Sequence, residues 1–347
     1  MNSATLPDLI STEEELDDVM AQPPDALVQL MKKLEGDIAI LGIGGKMGTT
    51  LGLEAVRAVQ QAGVKKRVYG VSRFSDAAGR EKLEKLGVQT IPCDLLERDA
   101  VAKLPQVPNV IFMAGRKFGT SDSEALTWAM NTVVPSNVGH HFTKSRIVAF
   151  SSGNVYGDVA LNSGGATEDL PPNPCGEYAQ SVLGRERVFA YFCQRNQAPT
   201  ALIRLNYAID LRYGVLYEIG KQVYAGAPVD VSTGQVNVIW QGDANTQALL
   251  ALDHCSVPAN ILNCTGPETV SVRYAASEFG RLLNKKVEFC GVEKTNVLLN
   301  NAAKANRLFG YPRVSLRQMI EWTAHWLKLG GKTLNKPTHF EVRDGKF

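Results

Sequence analysis

Residues 42–48 read Gly42-Ile43-Gly44-Gly45-Lys46-Met47-Gly48. They follow the apolar run Ile38-Ala39-Ile40-Leu41 and precede a helical pattern with Leu51, Ala55 and Val59 on one face. An apolar strand that turns through glycines into a helix constrains this chain more than any other feature. Glycine permits the tight turn and lets backbone N–H groups approach a pyrophosphate. It also lets helix and strand pack closely, with the helix N-terminus aimed at the phosphates. Gly42, Gly45 and Gly48 are spaced G-x-x-G-x-x-G. Placed on the first strand–helix unit, the turn is a dinucleotide-binding candidate, with Lys46 and Met47 inside it.

Short strands recur at 67–71, 88–91, 109–113, 146–150 and 201–204, most of them separated by helical stretches. Strand alternating with helix predicts an α/β chain with a doubly wound parallel sheet, a Rossmann arrangement. Beyond residue 205 the spacing loosens. Helices are expected near 213–225, 243–254, 273–284, 295–308 and 315–329, and strands near 229–231, 236–240 and 259–263. The expected division is an N-terminal helical extension over 1–36, a Rossmann domain over 37–205 that also draws on part of 236–265, and a mainly substrate-binding domain over 206–347. In the extension, Ser11-Thr12-Glu13-Glu14 predicts a capping-box helix start. Leu27, Leu30, Met31 and Leu34 then share one side of a second helix. The segment reads as an amphipathic brace or as a partner or lid segment.

Composition narrows the function classes. Lys plus Arg total 37 and Asp plus Glu 35 in 347 residues, a formal charge of +2. That balance points away from nucleic-acid and membrane-surface partners. The first residues lack the basic start and apolar stretch of a secretory leader, and no run approaches the roughly 18 apolar residues of a membrane helix. Six scattered cysteines without a Cys-x-x-Cys read as reduced thiols, and the histidines show no metal-ligand spacing. The expectation is a cytoplasmic protein with no metal.

The end of the second strand bears on the cofactor. A carboxylate there would accept hydrogen bonds from the ribose 2′-OH of NAD, but the sequence reads Val71-Ser72-Arg73. An arginine beside Ser72 suits the 2′-phosphate of NADP. NADP is therefore the expected cofactor, with NAD the alternative.

The order of motifs over about residues 37–290 resembles the extended short-chain dehydrogenase/reductase family, in its epimerase/dehydratase branch. Gly42, Gly45 and Gly48 match that family's nucleotide turn. The resemblance implies that Asp94-Leu95, after the third strand, contacts adenine. It implies that Ala114-Gly115-Arg116-Lys117, after the fourth, flanks the cofactor, and that Asn131 is a structural asparagine. In Ser151-Ser152-Gly153-Asn154-Val155-Tyr156-Gly157, Ser152 falls at the catalytic hydroxyl and Tyr178 at the catalytic tyrosine. The implied chemistry is hydride transfer at a carbinol carbon, with Tyr178 exchanging the hydroxyl proton and Ser152 holding the oxygen.

Three departures bear on that chemistry. Only about one free tyrosine in a thousand is ionised at pH 7, and the family corrects this with a lysine one helical turn later. Here that position is Val182. Arg185 lies on the same face but about 10 Å along the axis, which makes it a poor substitute; Lys117 is a second cation near the fourth strand. Gly153 and Asn154 stand where nucleotide-sugar dehydratases carry an acidic pair. Residues 235–241, ahead of Asp243, contain no arginine to grip a diphosphate, and a buried diphosphate without a cation is costly. The expected substrate is thus a small carbohydrate or hydroxy acid rather than a nucleotide sugar.

By the same resemblance, Asn206 and Tyr207, after the sixth strand, line a substrate pocket with Asn154. Arg212 is a pocket residue or a surface charge, and Trp240 a pocket wall or core. The run from Asn335 to Arg343, with His339 and Glu341, is a frayed tail or a segment that folds back over the site. The resemblance also implies a homodimer through the helices around 125–138 and 178–192, with Phe189, Tyr191 and Phe192 either at that interface or in the core. The expected function is an NAD(P)-dependent oxidoreductase or epimerase-like enzyme. The alternatives are a non-catalytic dinucleotide-binding sensor or scaffold and a non-redox lyase or isomerase that keeps the cofactor bound.

Overall fold

The computed structural model describes residues 6–117, 123–335, 338 and 340. Seven strands form the main sheet: β1 (Ile38–Leu41), β2 (Val68–Ser72), β3 (Gln89–Pro92), β4 (Asn109–Phe112), β5 (Arg146–Ser152), β6 (Thr200–Leu205) and β7 (Asn260–Cys264). All pairings are parallel, in the order 3-2-1-4-5-6-7. β1 and β4 are buried along their whole length and β5 from Ile147 onward, as a sheet covered on both faces requires. The strand order reverses between β1 and β4, which opens a crevice at their carboxyl ends.

One face of the sheet packs on the Gly48–Ala62 helix, through Leu51, Ala55 and Val59, and on the Gln241–Leu250 helix, through Ala244, Ala248 and Leu249. The other face packs on Val134, Val138 and Phe189, with the Phe112 and Phe189 rings edge to face at 4.9 Å. A second apolar core lies beyond the sheet. It is built around Trp240 and Trp322, whose rings meet at 5.3 Å, with the Val215–Ala225, Val272–Leu283 and Leu316–Lys328 helices.

The N-terminal helices, Glu13–Met20 and Asp25–Lys33, touch both cores. Ile10, Leu16 and Met20 are fully buried with Trp240 and Trp322, while Leu27, Leu30, Met31 and Leu34 pack beside β1. The first helix starts one residue later than its sequence suggests. Thr12 Oγ1 accepts from the Glu15 amide and the Glu15 carboxylate from the Thr12 amide, so Glu15 closes the box.

Two other expectations change. Residues 295–308 are not one helix: Asn296–Val297 pairs with Val159–Ala160, and the helix runs only over Ala303–Phe309. Asn301 Oδ1 takes the Ala303 amide at 2.9 Å, fixing the helix start there. Phe189 and Phe192 belong to the molecule's own interior, leaving Tyr191 as the exposed ring of the three.

Candidate functional site

A cavity of about 400 Å³ fills the crevice between β1 and β4. Its floor at one end is the glycine turn, with Gly42, Gly45, Lys46 and Met47; at the other end stand Ser152, Asn154 and Tyr178. The three glycines have different tasks. Gly42 has φ +92°, and a Cβ there would lie 2.6 Å from the Ala114 nitrogen. A Cβ on Gly48 would lie 2.1 Å from the Ile43 carbonyl oxygen, so only glycine lets helix and strand meet this closely. Gly45 is different: its nearest neighbour is 3.4 Å away, the fold has room for a side chain, and its backbone faces the cavity.

The Gly48–Ala62 helix begins at Met47 without a side-chain cap. Its first-turn N–H groups therefore suit an anion such as a pyrophosphate. Ser72 packs against Gly44, and exposed Arg73 follows it. Asp94 Oδ1 accepts from the Leu96 amide at 3.0 Å, and the Leu95 carbonyl accepts from Asn137, so this loop is pinned beside β3.

At the far end, the Ser152 hydroxyl donates to Asn154 Oδ1 at 3.1 Å and accepts from the Asn154 amide at 3.2 Å. It also hydrogen-bonds Tyr178, on the Gly176–Asn196 helix. Burial away from water raises the Tyr178 phenol above its ordinary value, while the Arg185 charge and the Ser152 bond pull it back down. Asn131 is the hub behind these groups. It donates to Ser181 Oγ at 2.9 Å, clasps the Arg116 backbone in both directions at 3.2 Å, and accepts from Arg185.

Val182 faces away from the cavity. It is fully buried against Val155, Tyr156 and Ala166. Arg185 overturns the distance argument made from the sequence. Measured along the helix axis it is remote from Tyr178, but its long side chain brings the guanidinium into the wall of the same cavity. There it donates to the Phe150 carbonyl at 2.8 Å and to Asn131 Oδ1. Gly115 makes room for it, since a Cβ there would sit 2.1 Å from Arg185 Nη2.

Four cations line the cavity: Lys46, Arg116, Lys117 and Arg185; among the described lining residues there is no carboxylate. Lys46 Nζ lies 4.1 Å from the Tyr213 ring centre and Lys117 Nζ 5.7 Å from that of Tyr178. Burial lowers the Lys117 ammonium to about 8, against an upward pull from Glu218. Glu218 also accepts from the Thr338 hydroxyl at 2.8 Å, which holds Thr338 in the cavity wall. The tail thus does return to the site at Thr338; His339 and Glu341 lie outside the described residues.

Asn206 and Tyr207 both line the cavity. Asn206 is buried, and its Nδ2 has no hydrogen-bond partner among the described residues. Tyr207 holds φ +43°, a left-handed backbone that is costly for a bulky residue and gathers at functional sites. Arg212 does not join them. Its guanidinium pairs with Asp210 at 2.7 Å and Asp17 at 3.0 Å, tying the first N-terminal helix to the second lobe. Trp240 is core, and Arg204 is locked to Glu186 by bonds of 2.9 and 2.7 Å. Sequence reasoning named Tyr213 only alongside Arg212 and Thr338 only within the 335–343 run, and singled out neither as a wall residue. It also undervalued Arg185, whose only sequence signal was its i+7 position on the tyrosine helix.

A parallel sheet with a glycine turn at its switch point, and a serine–tyrosine pair across the same cavity, define a Rossmann-type dinucleotide enzyme. Residues 38–209 match the sequence profile of the NAD dependent epimerase/dehydratase family, so this domain is of that family. No curated protein matches the chain. Solved structures share its fold at low identity. The UDP-glucuronic acid 4-epimerase of Bacillus cereus, in complex with UDP-glucuronic acid and NAD, is 20% identical with a TM-score of 0.70, covering 84% of this chain and 99% of that one. The UDP-glucose 4-epimerase of Thermus thermophilus, in complex with NAD, is 19% identical with a TM-score of 0.67, covering 84% and 99%. A UDP-galactose 4-epimerase is 21% identical with a TM-score of 0.66, covering 84% and 98%. Among the described residues no helix is long and apolar enough to cross a membrane.

Proposed function

We propose that the protein is an NADP-preferring oxidoreductase or epimerase that acts on a small, negatively charged polyhydroxy substrate such as a sugar acid or hydroxy acid. The observation that carries this reading is the hydrogen-bonded Ser152–Tyr178 pair facing the cavity that begins at the glycine turn. The turn, the uncapped helix start and Lys46 fit a dinucleotide. A nicotinamide held there supplies hydride transfer at a carbinol carbon. Tyr178 takes or returns the hydroxyl proton, Ser152 orients the oxygen, and Asn206 and Tyr207 hold the rest of the substrate. The cations at 116 and 117, with no opposing carboxylate among the described lining residues, favour an acid over a neutral sugar. The absence of an arginine from 235–241 argues against a nucleotide sugar.

The NADP preference is supported at the end of β2. Arg73 is exposed there, and the nearest following carboxylate, Asp76, is engaged in capping the next helix. A homodimer is part of the same reading. Leu126, Trp128 and Val133, on the segment beside the tyrosine helix, and Tyr191, on that helix, expose apolar surface suited to a second copy. Sedimentation across micromolar concentrations checks it, and a monomer throughout would remove it. The activity test is a scan of sugar acids and nucleotide sugars with saturating NADP or NAD, followed by reduced-nicotinamide absorbance and by product analysis for epimers. Turnover of nucleotide sugars alone would refute the substrate assignment.

A further inference from the structure

A tyrosine used as a base must form its anion at the working pH, and the wall around Tyr178 opposes that. Such an anion needs a fixed positive charge. Arg116, Lys117 and Arg185 share its cavity wall, and the last two act on the tyrosine itself. Lys117, on the loop after β4, stands over the Tyr178 ring, but its ammonium titrates at about 8 and its charge fades in mildly alkaline solution. Arg185 keeps its charge further: burial lowers the guanidinium only to about 10.

Geometry separates the two more sharply. Arg185 is 6% exposed, and it is fixed by the Phe150 carbonyl, by Asn131, and by the Phe112 ring 5.6 Å beneath it. Its Nε has no acceptor among the described residues. The carboxylate next to it in sequence, Glu186, is taken up by Arg204 and by the Ser151 hydroxyl at 2.5 Å. The Arg185 charge is therefore buried and immobile in a wall it shares with Tyr178, and Glu186 acts on it only through space, with its oxygens bonded to Arg204 and Ser151. The other groups that face the tyrosine are Ser152 from β5 and Arg116 and Lys117 from the loop after β4. Glu218 acts from the second lobe through Lys117.

We propose that Arg185 is the positioning residue that holds the Tyr178 phenolate in the cavity, the task that Val182 cannot perform. The proposal rests on the reading of Tyr178 as the base. It gives Asn131 and Gly115 a shared purpose: one fixes the guanidinium and the other leaves space for it.

The test uses the ligand-free protein and needs no substrate. Tyrosinate absorbance is followed against pH, and the titration of Tyr178→Phe is subtracted so that Tyr178 alone is read. In Arg185→Gln the Tyr178 transition should move up by about one pH unit or more, roughly a tenfold loss of phenolate at a given pH. Arg185→Lys, which keeps a charge, should move it much less. If the glutamine variant does not fold, Arg185→His keeps a ring N–H donor and is neutral at alkaline pH, so the same upward move is expected. An unmoved transition in either folded neutral variant overturns the proposal. So does a lysine variant that moves as far as the neutral one, or a wild type with no Tyr178 transition before alkaline unfolding. Full activity in Tyr178→Phe would instead refute the base assignment itself, so the two failures are distinguishable.

Discussion

At the Gly42–Gly48 turn the cavity wall is mostly backbone, set by a positive φ at Gly42 and a strand–helix approach that only Gly48 allows. At Tyr178 the wall is made of side chains from separate parts of the chain: Ser152, Tyr178 and Arg185, with Lys117 above them and Asn131 behind. The first end is local, and a seven-residue pattern fixes it. The second is a tertiary assembly, in which a charge seven residues along the helix can serve where a nearer position is apolar. Backbone sites tolerate little change in residue type; side-chain sites can be rewired while the fold stays the same.

The largest effect should come from the side-chain end. Tyr178→Phe removes the positioned acid–base group and is expected to cost about 10²–10⁴ in turnover, measured once a substrate is in hand. Val182→Lys sharpens the contrast. Val182 is fully buried among Val155, Tyr156 and Ala166 rather than in the cavity wall, so a lysine there would be an uncompensated buried charge. Chemical denaturation should show a loss on the order of 3–5 kcal/mol at neutral pH. A stable variant with faster turnover would mean that the lysine reaches the site and that the rewiring is incomplete.

Glu54 tests the helix that follows the glycine turn without touching the cavity. Burial raises its carboxyl to about 8 from 4.5, although its bond from Thr246 works the other way. An acid whose folded-state value is raised contributes fully below about 4.5, and that contribution is lost as pH rises through about 8. Between those limits stability should fall by about 1.4 kcal/mol per pH unit. Glu54→Gln should flatten that slope and leave cofactor affinity unchanged; an equal slope in the variant would contradict the assignment. The smallest effect belongs to Arg73→Ala, which should narrow the NADP-over-NAD affinity gap by about tenfold, the scale of one lost charge-assisted contact. Tighter NAD than NADP binding in the wild type would remove the preference.

This division also explains what the sequence made legible. The strand–helix alternation, the glycine turn and the Ser152 and Tyr178 positions are local patterns, and the structure brings them to one crevice. The helix expected over 295–308 failed because an asparagine turn at Asn301, invisible to apolar periodicity, starts the helix late. Arg212 looked like a pocket residue because one of its partners, Asp17, lies far away on the first N-terminal helix, although the other, Asp210, stands only two residues before it. Arg185 was set aside by axial distance, which ignores how far a long side chain reaches laterally along a helix. The fold-back of the tail was one of two readings of the 335–343 run, and nothing local singled out Thr338, since Glu218 holds it across 120 residues.

The central claim is that the crevice at the glycine turn holds a nicotinamide dinucleotide, and fluorescence titration of the purified protein with NADPH and with NADH tests it most directly. Wild type should bind one equivalent saturably. Gly45→Val should unfold at a similar temperature but lose that binding, because its side chain would enter the cavity without disturbing the fold. Gly48→Val should fail earlier, by destabilising the strand–helix contact itself. No saturable binding of either nucleotide to folded wild-type protein, or undiminished binding in Gly45→Val, would contradict the account.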